Sequence, residues 1–256
     1  MRIVFLSLLL GMAITAAAQQ EPMYVAAKSG LSIREKPEIG AKVLDKIPYG
    51  KKITLLNDEE EKKSIVTEGM TGYWSKVKYK NSTGYVVDSY LLPWTPPKLA
   101  TVKTMKQYIA QIAQPFGSRL VVKSGNMTTI EGTGAQIGKQ LYKNGAEWHE
   151  FQGYEYASDA YFLPGFTTQQ GFLLLRLISE FADVFGEKDE FPVSSKTLKR
   201  GEKEIKYKIE KETWGEEVEY NWIKRINAEY EDNGPAYFFE MYQLDNQLVV
   251  FFGSGV

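Results

Sequence analysis

Carboxylate and aromatic side chains are concentrated between residues 147 and 161 and could line a cleft for a sugar or a peptide. A glycosidase needs two carboxylates about 5–10 Å apart that act as acid and as base or nucleophile. A tyrosine-rich sheet with one solvated face would show the same composition, so this cleft is kept as an alternative site. Its candidate residues are Glu147, Trp148, His149, Tyr154 and Asp159.

The sequence lacks the residues that other catalytic mechanisms require. The chain of 256 residues has no cysteine and one histidine, His149. Thiol nucleophiles and thiolate metal sites are therefore excluded, and a zinc amidase or peptidase, which normally takes two or more histidines, is disfavoured. A Gly-x-Ser-x-Gly nucleophile motif is also missing from the sequence. We therefore predict a protein without catalysis, cofactor or metal.

The first residues have the order of a secretory signal peptide. Arg2 precedes the apolar run Ile3–Ile14, and the small residues Ala16–Ala18 supply a cleavage site. We expect residues 1–18 to be removed on export, which would leave the mature protein in the periplasm or outside the cell. With no cysteine to carry a lipid and no later apolar stretch long enough to span a bilayer, neither a lipoprotein nor a membrane anchor is expected.

Charge disfavours one class of partner. The sequence has 31 Lys and Arg against 32 Asp and Glu, which leaves a formal net charge of −1. A nucleic-acid-binding domain usually has a clear basic excess. We therefore expect no nucleic acid as a partner.

Short apolar segments separated by turn residues extend from residue 21 to residue 92. Leu31 and Ile33 alternate with polar residues, Pro37 interrupts the chain, and Pro48–Gly50 has the composition of a tight turn. Several short strands with turn signals between them predict a small all-β barrel.

This segment resembles a bacterial Src-homology-3 domain. The matching motifs follow in the family's order: Gly30–Arg34, Pro37, Ala41–Leu44, Pro48–Gly50, Trp74–Val77, Gly84–Val86 and Ser89–Leu91. The resemblance implies binding rather than catalysis, with a cell-wall peptide or an envelope protein as partner. Aromatic residues that could supply the binding surface are Tyr49, Tyr73, Trp74, Tyr85 and Tyr90.

Residues 93–100 contain three prolines and predict a short, stiff linker. An indole is seldom left fully in water, so we expect Trp94 to pack against one of the two halves of the chain. The halves would then touch, and clefts commonly form at such junctions. We place a candidate ligand site there, with Tyr90 and Trp94 near its edge.

Residues 101–256 predict an α+β domain of unknown function. Apolar residues at helical spacing predict a first helix that Thr101 caps and Pro115 stops. Thr167 and Gln170 form a capping box for a second, largely buried helix that Gly186 closes. Alternating segments and hairpin signals predict antiparallel strands after each helix. The expected fold class is thus mixed, a small all-β barrel followed by an α+β domain.

Three functions are compatible with these patterns. We favour an exported cell-envelope binding protein without catalysis. The first alternative is a carboxylate-dependent cell-wall hydrolase with its site in residues 101–256. The second is a purely structural envelope component, which would present a broad apolar surface and no pocket.

Overall fold

The computed structural model describes residues 22–56, 62–126, 134–213 and 221–256. The predicted signal peptide, residues 1–18, lies outside them. In this described part of the chain, no helix has the length and apolarity required to cross a bilayer.

The N-terminal part is a small β structure of short antiparallel strands. They are β1 (Met23–Val25), β2 (Leu31–Arg34), β3 (Val43–Ile47), β4 (Lys52–Leu55), β5 (Ser64–Thr67), β6 (Met70–Tyr79), β7 (Ser82–Val87) and β8 (Leu91–Leu92). Their order is β3-β2-β7-β6-β4-β1-β8, and β5 pairs with β6. Leu31 and Ile33 both point into the barrel core, as the alternation predicted.

The second sheet has nine antiparallel strands. They are β9 (Pro115–Ser124), β10 (Ala135–Tyr142), β11 (Glu147–Gln152), β12 (Tyr156–Pro164), β13 (Lys196–Arg200), β14 (Lys203–Thr213), β15 (Asn221–Glu231), β16 (Ala236–Leu244) and β17 (Gln247–Gly255). Their order is β13-β14-β15-β16-β17-β12-β11-β10-β9, so β9 and β13 are the edges. The described chain is therefore mostly β, with less helix than an α+β domain implies.

The first helix, α1 (Met105–Ile112), begins later than predicted. Its N-cap is Thr104, which forms a capping box with Gln107, whereas the amide of Thr101 donates to the Lys98 carbonyl in a preceding turn. Two threonines three residues apart both suit a cap, and only Thr104 has a glutamine at the N3 position. Pro115 follows the helix, as expected of a stop, and begins strand β9.

The second helix, α2 (Thr168–Leu175), has the predicted Thr167–Gln170 capping box. It ends at Leu175, so the prediction that Gly186 closes it was wrong. On a continued straight helix, Phe181 would lie on the side opposite Phe172, so one sheet could not bury both rings. The chain instead folds back through tight turns and a short 3-10 helix, Ser179–Phe181.

The main hydrophobic core joins the two parts of the chain. α2 packs closely on the second sheet, because a Cβ at Gly171 would come within 2.3 Å of Leu248 and 2.7 Å of Met241. Barrel residues Met70 and Leu92 belong to this same core and are fully buried. The barrel and the sheet therefore share apolar packing.

Trp94 packs as predicted. Its ring lies edge-on to Phe166, which is buried in the second part of the chain, with 4.9 Å between the ring centroids. The neighbouring Pro96 and Pro97 are buried as well. The segment after β8 is thus held against the second part of the chain.

Candidate functional site

A cleft of about 530 Å³ lies where the barrel meets the end of α2. Leu31 and Trp74 contribute to it from the barrel, and Leu173 and Leu177 contribute from the second part of the chain. Ile39, which is 67% exposed, stands at its margin on the barrel side. The cleft is therefore a groove with both polar and apolar lining, most of it from the barrel and the rest from the second part of the chain.

Two ion pairs cross the junction at this cleft. Arg176 at the end of α2 reaches Glu68 of the barrel, with 2.6 Å between Nη2 and Oε2. Lys28 of the barrel reaches Glu187 of the second part, with 2.8 Å between Nζ and Oε1. The barrel thus contributes Lys28, Arg34 and Glu68 to the cleft, and the second part contributes Arg176 and Glu187.

Hydrogen bonds to backbone carbonyls fix the two walls against each other. The amide of Phe191 donates to the carbonyl of Glu68 at 2.8 Å, and the Gln170 side chain donates to the carbonyl of Leu91 at 3.3 Å. Gly69 has φ +74°, and a Cβ there would lie 2.8 Å from the Phe191 carbonyl oxygen. Glycine is required at this position because it tolerates positive φ and the close approach of Phe191.

Neighbouring residues of the second part of the chain position Arg176. Its Nη1 donates to the Asp189 carbonyl at 2.8 Å, and its guanidinium lies 4.6 Å from the centre of the Phe172 ring. These contacts leave Nη2 directed at Glu68. The cleft therefore has a fixed cation at one end of an apolar floor.

Two of the six predicted binding aromatics line this cleft. Trp74 is 5% exposed, so it is a buried core residue that also forms part of the floor of the cleft. Tyr90 is half-buried. Burial raises the pKa of the Tyr90 hydroxyl above its usual value, with a further raising effect from the nearby Glu68. A neutral hydroxyl at neutral pH can both donate and accept a hydrogen bond to a ligand.

The other four predicted aromatics lie elsewhere. Tyr49 donates its hydroxyl to the Pro97 carbonyl at 2.7 Å, and its burial raises its pKa. Tyr73 is 45% exposed on the barrel surface, and Lys76 lies over the ring of Tyr85 at 5.7 Å. Trp94 lines a separate surface cleft of about 430 Å³. Aromatic residue type alone did not distinguish cleft residues from packing residues.

Sequence reasoning missed the wall contributed by α2. Leu173, Arg176 and Leu177 lie in a segment whose uniform apolarity indicated burial but not which neighbour it covers. The one available signal was Arg176 itself, a lone cation in an apolar run. A long-range contact between Arg176 and Glu68 has no signature in a single sequence.

A second, smaller cleft of about 240 Å³ is lined by carboxylates. Glu150 of β11 lies opposite Asp159 of β12 in the sheet, and Glu180 faces the same space. Lys106 of α1 contacts both strand carboxylates, at 3.5 Å from Glu150 and 3.2 Å from Asp159. Arg119 of β9 also pairs with Glu150.

The predicted acidic cluster is divided between the two faces of the sheet. Trp148 lies on the face of the acidic cleft, where its indole donates to Asp159 at 2.6 Å. Glu147 and His149 lie on the opposite face, 2.9 Å apart. Successive residues of a strand point to opposite faces, which separates residues 147 and 149 from residue 148. Of the five candidates, Asp159 alone lines the acidic cleft, and Tyr154 lies in the turn after β11.

Charged side chains contact Glu147 on one face of the second sheet and Trp148 on the other. Burial pushes the pKa of Glu147 upward, but hydrogen bonds from Lys139 and His149 outweigh it and leave this pKa below its usual value. On the other face, the Trp148 ring lies between Lys106 and Arg119, each 4.5 Å from its centre. These contacts attach α1 to strands β9 and β11.

We predict that Glu180→Gln stabilises the protein at neutral pH. Burial raises the pKa of Glu180 despite the hydrogen bond from the Met105 amide, so its ionisation disfavours the folded state. The contribution of Glu180 to the stability of the wild-type protein is present in full below the pKa that this residue has in the unfolded state. It is lost as pH rises through the pKa of Glu180 in the folded state. The stability difference should therefore vanish as urea unfolding is measured at decreasing pH. A difference that grows on acidification would contradict the prediction.

One known family matches part of the chain. Residues 29–92 match the family model described as bacterial SH3 domain, and members of this family are general binding modules often found in cell-wall-associated proteins. No curated protein and no solved structure matches the chain. Among the residues that the structure describes, no group of three or more His, Cys, Asp or Glu is placed to hold a metal ion. Residues 29–92 of the N-terminal barrel are therefore a bacterial SH3 domain.

Proposed function

We propose that this protein is an exported, non-catalytic binding protein of the cell envelope that holds a cell-wall peptide in the junction cleft. The observation that carries the proposal is the cleft itself, a groove with charged and apolar lining and with a bacterial SH3 domain as its main wall. Its volume of about 530 Å³ lies within the range of roughly 300–1,000 Å³ typical of small-ligand sites.

The charges at the cleft suit a short peptide that carries both carboxylate and amino groups, as cell-wall peptides do. Lys28 would receive a carboxylate and Glu187 would receive an amino group. The Arg176 guanidinium, 8% exposed and bound to Asp189 and Glu68, would stay in place as part of the wall. The Lys28–Glu187 pair is exposed, with 37% and 68% of the side chains accessible. Exposed ion pairs contribute about 0–1 kcal/mol, so ligand charges can replace the partner at little cost.

The placement in the envelope rests on two further observations. The order of charge, apolar run and small residues in residues 1–18 is that of a signal peptide. The matched family is common in cell-wall-associated proteins. An exported SH3 domain would meet cell-wall peptides directly.

Retention on purified, insoluble peptidoglycan tests this proposal. The mature chain should sediment with the wall material, and soluble peptide-bearing wall fragments should release it. An unrelated protein of similar size and net charge is the control. Retention no greater than that of the control would overturn the wall-binding function.

A carboxylate-dependent hydrolase is the second candidate, and the acidic cleft is the observation that favours it. Glu180, whose pKa is raised, has the character of a general acid, and Asp159 lies at the same cleft. The binding account predicts that incubation with peptidoglycan releases no soluble fragments. Release that is lost in Glu180→Gln would instead establish hydrolysis.

A further inference from the structure

One cation of the junction cleft has no carboxylate partner. Five charged side chains of the described residues line the cleft, and four of them form the two ion pairs that cross the junction. The fifth is Arg34 at the end of β2, which is half-buried and forms no ion pair with any Asp or Glu that the structure describes. Charged groups that leave water are usually paired, so this guanidinium is suited to an anionic group of a ligand.

The two neighbouring strands hold the backbone of Arg34 in place. Arg34 pairs with Val43 of β3 and with Tyr85 of β7. A Cβ at Gly84 would collide with the Arg34 carbonyl oxygen, so β7 packs closely against this residue. The side chain is anchored as well, because its Nη1 donates to the Ala41 carbonyl at 2.7 Å. The guanidinium is therefore positioned before a ligand binds.

Arg34 has donors left for a ligand. Ile33 points into the barrel core, whereas Ser32 and Arg34 lie on the other face of β2 and line the cleft. The bond to Ala41 uses one of the five N–H donors of the guanidinium. Among the described residues, no second acceptor contacts this side chain. A guanidinium binds a carboxylate through two parallel N–H···O bonds, a geometry that a neutral carboxamide, with a single oxygen, cannot match.

The other two cations of the cleft are less suited to a terminal carboxylate. The Arg176 side chain is 8% exposed and already bound to Glu68. Lys28 is paired with Glu187, and its ammonium is a point charge on a flexible stem, without the planar geometry of a guanidinium. A terminal carboxylate is therefore best received by Arg34, and Lys28 remains available to a side-chain carboxylate.

We infer that Arg34 receives the terminal carboxylate of the bound peptide, so that the cleft selects peptides whose last carboxyl group is free. This inference rests on the proposed peptide site in the junction cleft. Strand β2 separates Arg34 from the Lys28–Glu187 pair, and it extends about 10 Å from Leu31 to Arg34. An extended tripeptide has about this length. The ligand class is thus a short peptide with an amino group for Glu187 and a free terminal carboxylate for Arg34.

Two tripeptides of one lysine and two D-alanines test the inference, one with a free terminal carboxylate and one with a terminal carboxamide. Titration calorimetry with the mature chain should give an affinity for the acid at least about tenfold higher than for the amide, because the amide lacks the charge-assisted pair of bonds. The comparison uses two ligands on one protein, so a change in the folded fraction lowers both affinities equally.

Substitutions assign this preference to a residue. Arg34→Gln should abolish the preference for the acid, and Arg34→Lys should keep part of it, because the charge remains but the two parallel bonds are lost. Where circular dichroism shows that Arg34→Gln is unfolded, Arg34→Lys gives the comparison. Lys42→Gln is the matched control, since Lys42 is exposed in the loop after β2 and does not line the cleft. Its preference should equal that of the wild type.

Three results would overturn the assignment of Arg34: equal affinity of the wild type for acid and amide, binding of neither tripeptide, or a preference that is lost in Lys28→Gln and kept in the Arg34 variants. Retention on peptidoglycan is measured separately. A wild type that is retained on peptidoglycan but does not prefer the acid would leave the proposed function standing and exclude Arg34 as the carboxylate site.

Discussion

Replacing Phe172 with alanine should lower the free energy of unfolding by about 3–5 kcal/mol. Phe172 is fully buried on α2, and its ring contacts Phe185 at 5.1 Å and Phe191 at 5.4 Å between centroids. Deleting the ring would leave a cavity in the core that the SH3 domain shares with the second sheet. A natural domain is stable by about 5–15 kcal/mol, so this loss would be a large part of the total.

Urea unfolding followed by circular dichroism measures this effect. The matched control is Phe116→Ala, because Phe116 is 63% exposed and loses little packing when truncated. The control should change stability by about 0.5 kcal/mol or less. Equal losses in the two variants would contradict the packing described here.

Replacing Ile39 with lysine should weaken retention on peptidoglycan at least tenfold. Ile39 stands at the margin of the junction cleft and is 67% exposed, so the substitution leaves the core of the SH3 domain intact. A bound peptide would cover this position, and an ammonium group there would lose water without gaining a fixed partner. A tenfold loss corresponds to about 1.4 kcal/mol of binding free energy.

Leu44→Lys is the control for this loss. Leu44 is also an exposed apolar residue of the SH3 domain, 38% accessible, but it does not line the cleft. The two variants have the same change in net charge. Retention should fall in Ile39→Lys and persist in Leu44→Lys. An equal fall in both would mean that the added charge, and not the cleft, determines binding to the wall.

The SH3 domain could be predicted from sequence because its signals are local. Turn residues such as Pro48–Gly50 and motifs such as Trp74–Val77 fix short strands within a few residues of each other. The Thr167–Gln170 capping box of α2 was predicted for the same reason. The start of α1 was misplaced because Thr101 and Thr104 are chemically equivalent caps, and the side chain of Gln107 decides between them.

The candidate sites could not be predicted in the same way, because they are formed by contacts between residues that are distant in sequence. Glu68 and Arg176 meet only because α2 packs beside the SH3 domain. The acidic cluster was predicted as one surface, but strand alternation places Glu147 and His149 on one face and Asp159 on the other. Hydrophobic periodicity indicates that a face is buried and does not indicate what covers it.

Photo-crosslinking from both walls of the junction cleft tests the proposed function most directly. Benzoylphenylalanine would replace Leu177 in one protein, Ile39 in a second and Leu44 in a third, each irradiated with soluble peptide-bearing wall fragments. Mass spectrometry should find adducts at Leu177 and at Ile39, one on each wall of the cleft, and none at Leu44. Adducts at neither wall, or at Leu44 to the same extent, would contradict a peptide site at the junction.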